Sequence, residues 1–185
     1  MADGSESSTV TGLITMDAIG NVTIGRITTG NATIAAVTIN SGAAVIDAGN
    51  TGGEDIVAAS GRVVINTVTG VGSADAIETT VSSLDVSNTA SGNIDLNETD
   101  AVSVIRLSNT VVSDTNGATG AIQLVAGGTI TVVDSGAGGF GISAVDGDIT
   151  LDANGTDSDV VVNHAISTTV AGGVTISADD TVTFA

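Results

Sequence analysis

The stretch GDITL, residues 147–151, contains the unit that decides the fold: a glycine followed by apolar residues at alternate positions. Related units are GNVTI (20–24), GNATI (30–34), GRVVI (61–65), GNIDL (92–96), GAIQL (120–124) and GGVTI (172–176). From GNATI onward the units begin at residues 30, 61, 92, 120, 147 and 172, so successive units are 25 to 31 residues apart. Alternation with a period of two indicates β-strands, and self-similarity at this spacing indicates a repeat architecture.

Each interval between units holds about two further apolar runs, such as GTITVV (128–133) and FGISAV (140–145) after GAIQL. One repeat therefore consists of three short strands and three corners. Because a single turn cannot bury its own apolar side, such repeats are stable only when they stack. We predict an all-β, right-handed parallel β-helix of about six turns over residues 20–185. We expect residues 1–19 to form a polar N-terminal tail or a first partial turn.

An antiparallel β-sandwich is the alternative fold, because it too contains many short strands separated by turn residues. Sandwiches usually carry a large aromatic residue in the core and proline at strand edges. This 185-residue chain has no Trp, Tyr, Pro or Cys and only two Phe, while Gly, Thr, Asn, Ser and Asp supply its turns. The composition therefore favours the solenoid.

Charge excludes two classes of partner. The chain has 21 acidic residues, three Arg and no Lys, for a net charge of −18. Nucleic acids and anionic lipid surfaces are bound largely through Lys and Arg, so we expect neither as a partner. No stretch approaches the roughly 20 apolar residues of a membrane-spanning helix, and we expect no membrane insertion.

The Gly-x-Ile-x-Leu units, with aliphatic residues predicted inside, Asn and Thr in ladders and Gly-rich corners, resemble large bacterial exoproteins. These are the filamentous haemagglutinin and autotransporter adhesin types, and the resemblance spans roughly residues 20 to 184. It implies a right-handed parallel β-helix, secretion to the extracellular space or cell surface, and a fibrous or adhesive role on a surface or matrix polymer. The chain departs from those proteins in having fewer turns and no secretion domain.

Acidic residues cluster in the corner after GDITL, where we single out Asp152, Asn154, Asp157 and Asp159 as candidate metal ligands. Hard oxygen ligands of this kind suit Ca²⁺. The segment does not follow the EF-hand pattern, because Asp157 stands where that loop requires glycine. A calcium-dependent binding module is thus one alternative function, and solvated turn residues without an ion are the other interpretation of this corner.

Catalytic residues are sparse, and we predict that the chain is not an enzyme. A polysaccharide-active β-helix enzyme, the remaining alternative, needs clustered carboxylates with a base, or a metal with a cation, in a groove. The chain has one His, His164, and its three Arg are scattered at positions 26, 62 and 106.

The two ends of the predicted solenoid bear on assembly. Isolated solenoids need capping segments, since both ends expose strand edges and core. The N-terminal segment is not an amphipathic helix, and the C-terminal TVTFA (181–185) has the pattern of a bare strand. We therefore predict a structural or adhesive protein that either associates end to end as a fibre subunit or continues as part of a longer solenoid.

Overall fold

A computed structural model describes residues 1–49, 53–112, 120–133 and 141–185 of the chain. The described residues form 18 β-strands and no helix, as the alternating sequence pattern predicts. The strands are β1 (Glu6–Thr9), β2 (Ile14–Ala18), β3 (Val22–Ile24), β4 (Arg26–Thr29), β5 (Val37–Ser41), β6 (Val45–Asp47), β7 (Ile56–Thr67), β8 (Ile77–Asn88), β9 (Ile94–Glu98), β10 (Val102–Asn109), β11 (Ile122–Ala126), β12 (Ile130–Val132), β13 (Ile142–Asp146), β14 (Ile149–Ala153), β15 (Val160–Val162), β16 (Ile166–Ala171), β17 (Val174–Ala178) and β18 (Val182–Phe184).

All the strand pairs are parallel, and they build a solenoid with three faces. Face A holds β1, β4, β12, β15 and β18, face B holds β2, β5, β13 and β16, and face C holds β3, β6, β9, β11, β14 and β17. The longer strands β7, β8 and β10 bend across the corner from face A to face B. In β7, for example, Ile56 pairs with β4, whereas Val63 pairs with β5. The predicted parallel β-solenoid is confirmed.

Face C shows why the repeated unit is visible in the sequence. Its first inward positions are in register from turn to turn, directly or through the bridge at Val71, and are occupied by Val22, Val45, Val71, Ile94, Ile122, Ile149 and Val174. GNVTI, GNIDL, GAIQL, GDITL and GGVTI therefore occupy equivalent places on one face.

Two of the quoted units do not belong to that series. GNATI was predicted as a strand, but it lies in the loop between β4 and β5, and its Ile34 is 73% exposed. GRVVI is a strand, but on face B, where Val63 pairs with Val37. The error has a physical cause, since a five-residue alternation fixes which residues share a side and not which face of a solenoid they join.

The structure contains about seven turns rather than six. The additional turn arises at the N-terminus, because β1 pairs with β4 and β2 pairs with β5 ahead of the region assigned to the repeat. Residues 6–18 thus contribute strands to the stack. None of the described segments forms a helix long and apolar enough to cross a membrane.

The interior is a set of aliphatic columns along the solenoid axis. Leu96, Leu124 and Leu151 are stacked in register and have no exposed surface. Each face contributes alternate residues inward, so one continuous core runs through the stack. Burial of a side chain of this size stabilises the fold by roughly 1.5–3 kcal/mol, and here the burial comes from the turns on either side.

At Gly92, Gly147 and Gly172, glycine begins the repeated unit where successive corners lie in direct contact. At Gly172 the backbone has a φ of +112°, and an added Cβ would lie 2.1 Å from the carbonyl oxygen of Gly147 in the turn before. Glycine adopts a positive φ and tolerates such an approach at little cost, whereas other residues do not.

Buried asparagines fasten the corner between faces B and C. Asn88 and Asn109 are in register and fully buried. The Asn109 side-chain amide donates to the carbonyl oxygens of Gly92 (3.0 Å) and Ala121 (3.2 Å), and Asn88 donates to Asn109 Oδ1 (3.2 Å). These bonds link the side chains of two turns to each other and to the corner carbonyls, so the buried amides have hydrogen-bond partners.

Candidate functional site

Three carboxyl groups meet where the middle turns cross from face C to face A. Asp47 ends β6, Asp55 immediately precedes β7, and Glu78 is the second residue of β8. One ligand oxygen from each lies within 4.8 Å of those of the other two. Asp55 is 1% exposed, and its Oδ2 accepts a hydrogen bond from the Glu78 backbone N–H (3.2 Å).

Such close carboxyls cannot all ionise freely, since like charges in a partly buried site repel strongly. Burial raises the pKa of Asp55 to about 8, and the charge of Asp47 acts in the same direction. Burial also raises the pKa of Glu78, with further contributions from Asp47 and Asp75. A proton shared among the three carboxyls reduces their mutual repulsion. The same spacing is also what one bound cation would require.

Glu98 is a separate buried carboxyl in the next turn, at the inward-facing end of β9. It is 4% exposed and accepts hydrogen bonds from the Thr79 hydroxyl (2.6 Å) and the Val81 backbone N–H (3.0 Å). Burial raises its pKa to about 8 despite those two bonds, and neighbouring Asp100 acts with burial. Among the described residues, Asp55 and Glu98 are the two buried acidic side chains.

Sequence reasoning missed Asp47, Asp55 and Glu78, since they lie far apart in the chain and outside the repeated units. For Glu98, in contrast, the sequence does contain a pattern that predicts burial. In GNIDLNE (92–98) the alternation that places Ile94 and Leu96 inside also places Glu98 inside.

In the structure, each of the four residues predicted to bind calcium forms a hydrogen bond with a different partner. Asp152 Oδ1 accepts from the Ser177 hydroxyl (2.6 Å), and Asp159 Oδ1 accepts from the Thr181 N–H (3.0 Å). The Asn154 backbone N–H donates to the carbonyl oxygen of Ala126. Asp157 has a φ of +58°, and its backbone N–H donates to Asp179 Oδ2 (3.0 Å).

Within the described ranges, the Asp47, Asp55 and Glu78 group is the one set of three acidic, Cys or His side chains that approach this closely. The corner carboxylates at 152, 157 and 159 therefore do not converge in that way. Asp152 and Asp159 bond to the following turn of the stack through their carboxylates, and Asp157 does so through its backbone N–H. Calcium binding there stays a prediction.

The last turn forms a second notable surface. A cavity of about 840 Å³ opens at the C-terminal end of the solenoid and is lined by residues that include His164, Ile166, Val174 and Phe184. Val174, Val182 and Phe184 are 44%, 40% and 69% exposed. Their register partners in the preceding turn, by contrast, are all buried.

Comparison of the chain with protein-family models, with curated proteins and with solved structures finds no match.

Proposed function

We propose that this chain is a non-enzymatic structural β-solenoid whose open ends stack on further solenoid turns. In this proposal it is a fibre subunit or a segment of a larger surface adhesin, located outside the cell. The observation that carries the proposal is the last turn, where positions that are buried in the interior of the stack face solvent. Val182 and Phe184 occupy the columns that hold the buried Val160 and Val162 one turn earlier.

Free strand edges support the same conclusion. In the described structure β16, β17 and β18 each pair with a strand on one edge only, as do β1, β2 and β3 at the other end, where the Met1 amine also donates to the Thr23 carbonyl on β3. Unpaired edges are templates for strand addition. Because every strand on a face runs in the same direction, the N-terminal edges of one copy match the C-terminal edges of another in orientation. Contact of this kind is heterologous and therefore extends into a filament.

The partner that fits this surface is a second copy of the chain, since another solenoid turn supplies both aliphatic columns and parallel strand edges. The extracellular and adhesive parts of the proposal rest on the resemblance of the repeat pattern to bacterial exoproteins. The net charge of −18 is consistent with a solvated lateral surface.

Sedimentation analysis and electron microscopy of the 185-residue chain test the stacking. We expect particles that lengthen along one axis as concentration rises. Phe184→Glu, which places a charge on the end surface, should reduce the assembly strongly. Ile34→Glu is the matched control, since Ile34 is similarly exposed but lies in a lateral loop, and it should assemble as the unmodified chain does.

Strictly monomeric particles at all concentrations would contradict the fibre form of the proposal. Only the form in which the chain is a segment of a longer solenoid would then remain.

A further inference from the structure

Glu98 occupies a place where the backbone ladder between neighbouring turns is interrupted. β8 pairs with β9 as far as Thr79 and Glu98, and its pairing with β10 starts at Ser83 and Ser103. The Val81 N–H lies between these two stretches and donates to Glu98 Oε1 at 3.0 Å. A side-chain carboxyl therefore supplies the acceptor for a buried backbone donor at this corner.

The neutral form of Glu98 can bond to Thr79 and Val81 while leaving the Thr79 hydroxyl free to donate elsewhere. Thr79 Oγ1 lies 2.6 Å from Glu98 Oε2 and 3.3 Å from the Asn97 carbonyl oxygen. A protonated carboxyl can donate to Thr79 Oγ1, which frees the threonine hydroxyl to donate to Asn97. An ionised carboxylate instead requires the hydroxyl for itself, so the Asn97 carbonyl loses that donor.

Among the described residues, the charged side chains that act on Glu98 or lie beside its contacts are acidic. Asp100 acts on Glu98 from its own corner, Glu78 lies next to Thr79 on β8, and β11 places the apolar Ala126 opposite Glu98.

The three Arg lie on other strands of the stack. Arg62 donates to Ser83, Arg106 pairs with Asp85, and Arg26 is on β4.

We propose that Glu98 stabilises the central turns in a proton-dependent way. Its neutral form stabilises the corner between β8 and β9, and its ionised form weakens that corner. The direction of the effect follows from linkage. The pKa of Glu98 in the folded chain is about 8, above the ordinary value of 4.5, so the folded state binds the extra proton between those values. Stability from this group is therefore complete below about pH 4.5, falls as pH rises toward 8, and is constant above that.

Glu98→Gln separates protonation from packing. Glutamine keeps an acceptor for the Val81 N–H and a donor toward Thr79, and it does not titrate. Denaturant unfolding of both chains from pH 4 to 9.5 gives the ratio of their unfolding equilibrium constants. We expect this ratio, original chain over variant, to rise about tenfold per pH unit between roughly pH 5 and 8 and then to level off. Glu6→Gln, which changes an exposed acid on β1, is the matched control and should give a ratio that hardly varies.

A ratio for Glu98→Gln that stays constant across the range would overturn the proposal. If that variant does not fold, carbon NMR of the glutamate carboxyl groups in the unmodified chain still decides. A glutamate carboxyl titrating near pH 8 is expected both in the unmodified chain and in Glu78→Gln, and titration of every glutamate below pH 5.5 would exclude this role of Glu98. Neither measurement depends on end-to-end stacking when it is made on the monomer fraction.

Discussion

The sixth and seventh turns of the solenoid use nearly the same residues and differ sharply in burial. Val160 and Val182 are register partners on face A, and so are Ile149 and Val174 on face C. Val160 and Ile149 have no exposed surface, whereas Val182 and Val174 are 40% and 44% exposed. The local sequence is equivalent, so the difference comes entirely from whether another turn covers the side chain. In this fold, whether a side chain is buried depends on the neighbouring turns of the stack and not on the sequence of its own strand.

The largest expected effect is the loss of a hydrogen-bonding side chain from the buried polar column of an inner turn, compared with the same loss in the last turn. Asn109 and Thr168 occupy the same column through Ala144. Asn109→Ala removes the two bonds that the amide donates to the Gly92 and Ala121 carbonyls and leaves the buried Val111 N–H without the acceptor Asn109 Oδ1, so unfolding free energy should fall by about 3 kcal/mol or more. Thr168→Ala, in the last turn, removes one exposed bond to Gly172 and should cost less than about 1 kcal/mol.

Urea denaturation of both variants provides the measurement. Equal losses for Asn109→Ala and Thr168→Ala would mean that the inner polar column contributes no more than the exposed one.

A matched pair of valines tests the apolar columns. Val160→Ala should lower the unfolding free energy by about 2 kcal/mol, because two buried methyl-sized groups are removed from a packed interior. Val182→Ala should lower it by about 1 kcal/mol or less, since its side chain is already partly solvated. At concentrations where copies associate, the two losses should become more alike. Unfolding free energies measured across a concentration series check both expectations. Equal losses of unfolding free energy for the two variants in the monomer would contradict the difference between the sixth and seventh turns.

The smallest effect is expected on the outside of an inner turn. Arg106 Nε lies 2.7 Å from Asp85 Oδ1, and the two side chains are 43% and 20% exposed. Exposed ion pairs contribute about 0–1 kcal/mol and are screened by salt. Arg106→Gln should therefore change stability by less than about 1 kcal/mol, with an even smaller difference at 1 M salt. A loss as large as that at Asn109 would show that the pair acts as part of the buried framework.

Much of the fold followed from local pattern. The alternation in GNIDL, GAIQL and GDITL predicted strands, inward residues and stacking, and the structure places all three in register. GNATI has the same pattern and is a loop, in which Ile34 is 73% exposed. Periodicity records which residues share a side, while the contacts that bury that side come from residues about 25 positions away.

The candidate site was less accessible to sequence reasoning. Glu98 could be placed inside from alternation with Ile94 and Leu96, yet its contacts with Thr79 and Val81 depend on the register between β8 and β9. Asp47, Asp55 and Glu78 share no spacing, because they approach one another only through the way successive corners overlie. Insertions in the corners shift that overlap without altering the strand pattern.

By itself, the sequence determined that this chain forms short parallel strands with aliphatic interiors, glycine corners and a strongly acidic surface. Each of these depends on residue type and on a period of two within a single strand. Tertiary structure alone decided the number of turns, the face to which each unit belongs, the meeting of the buried carboxyls and the exposure of the last turn. These depend on register between turns, and register is set by many weak contacts summed along the whole stack.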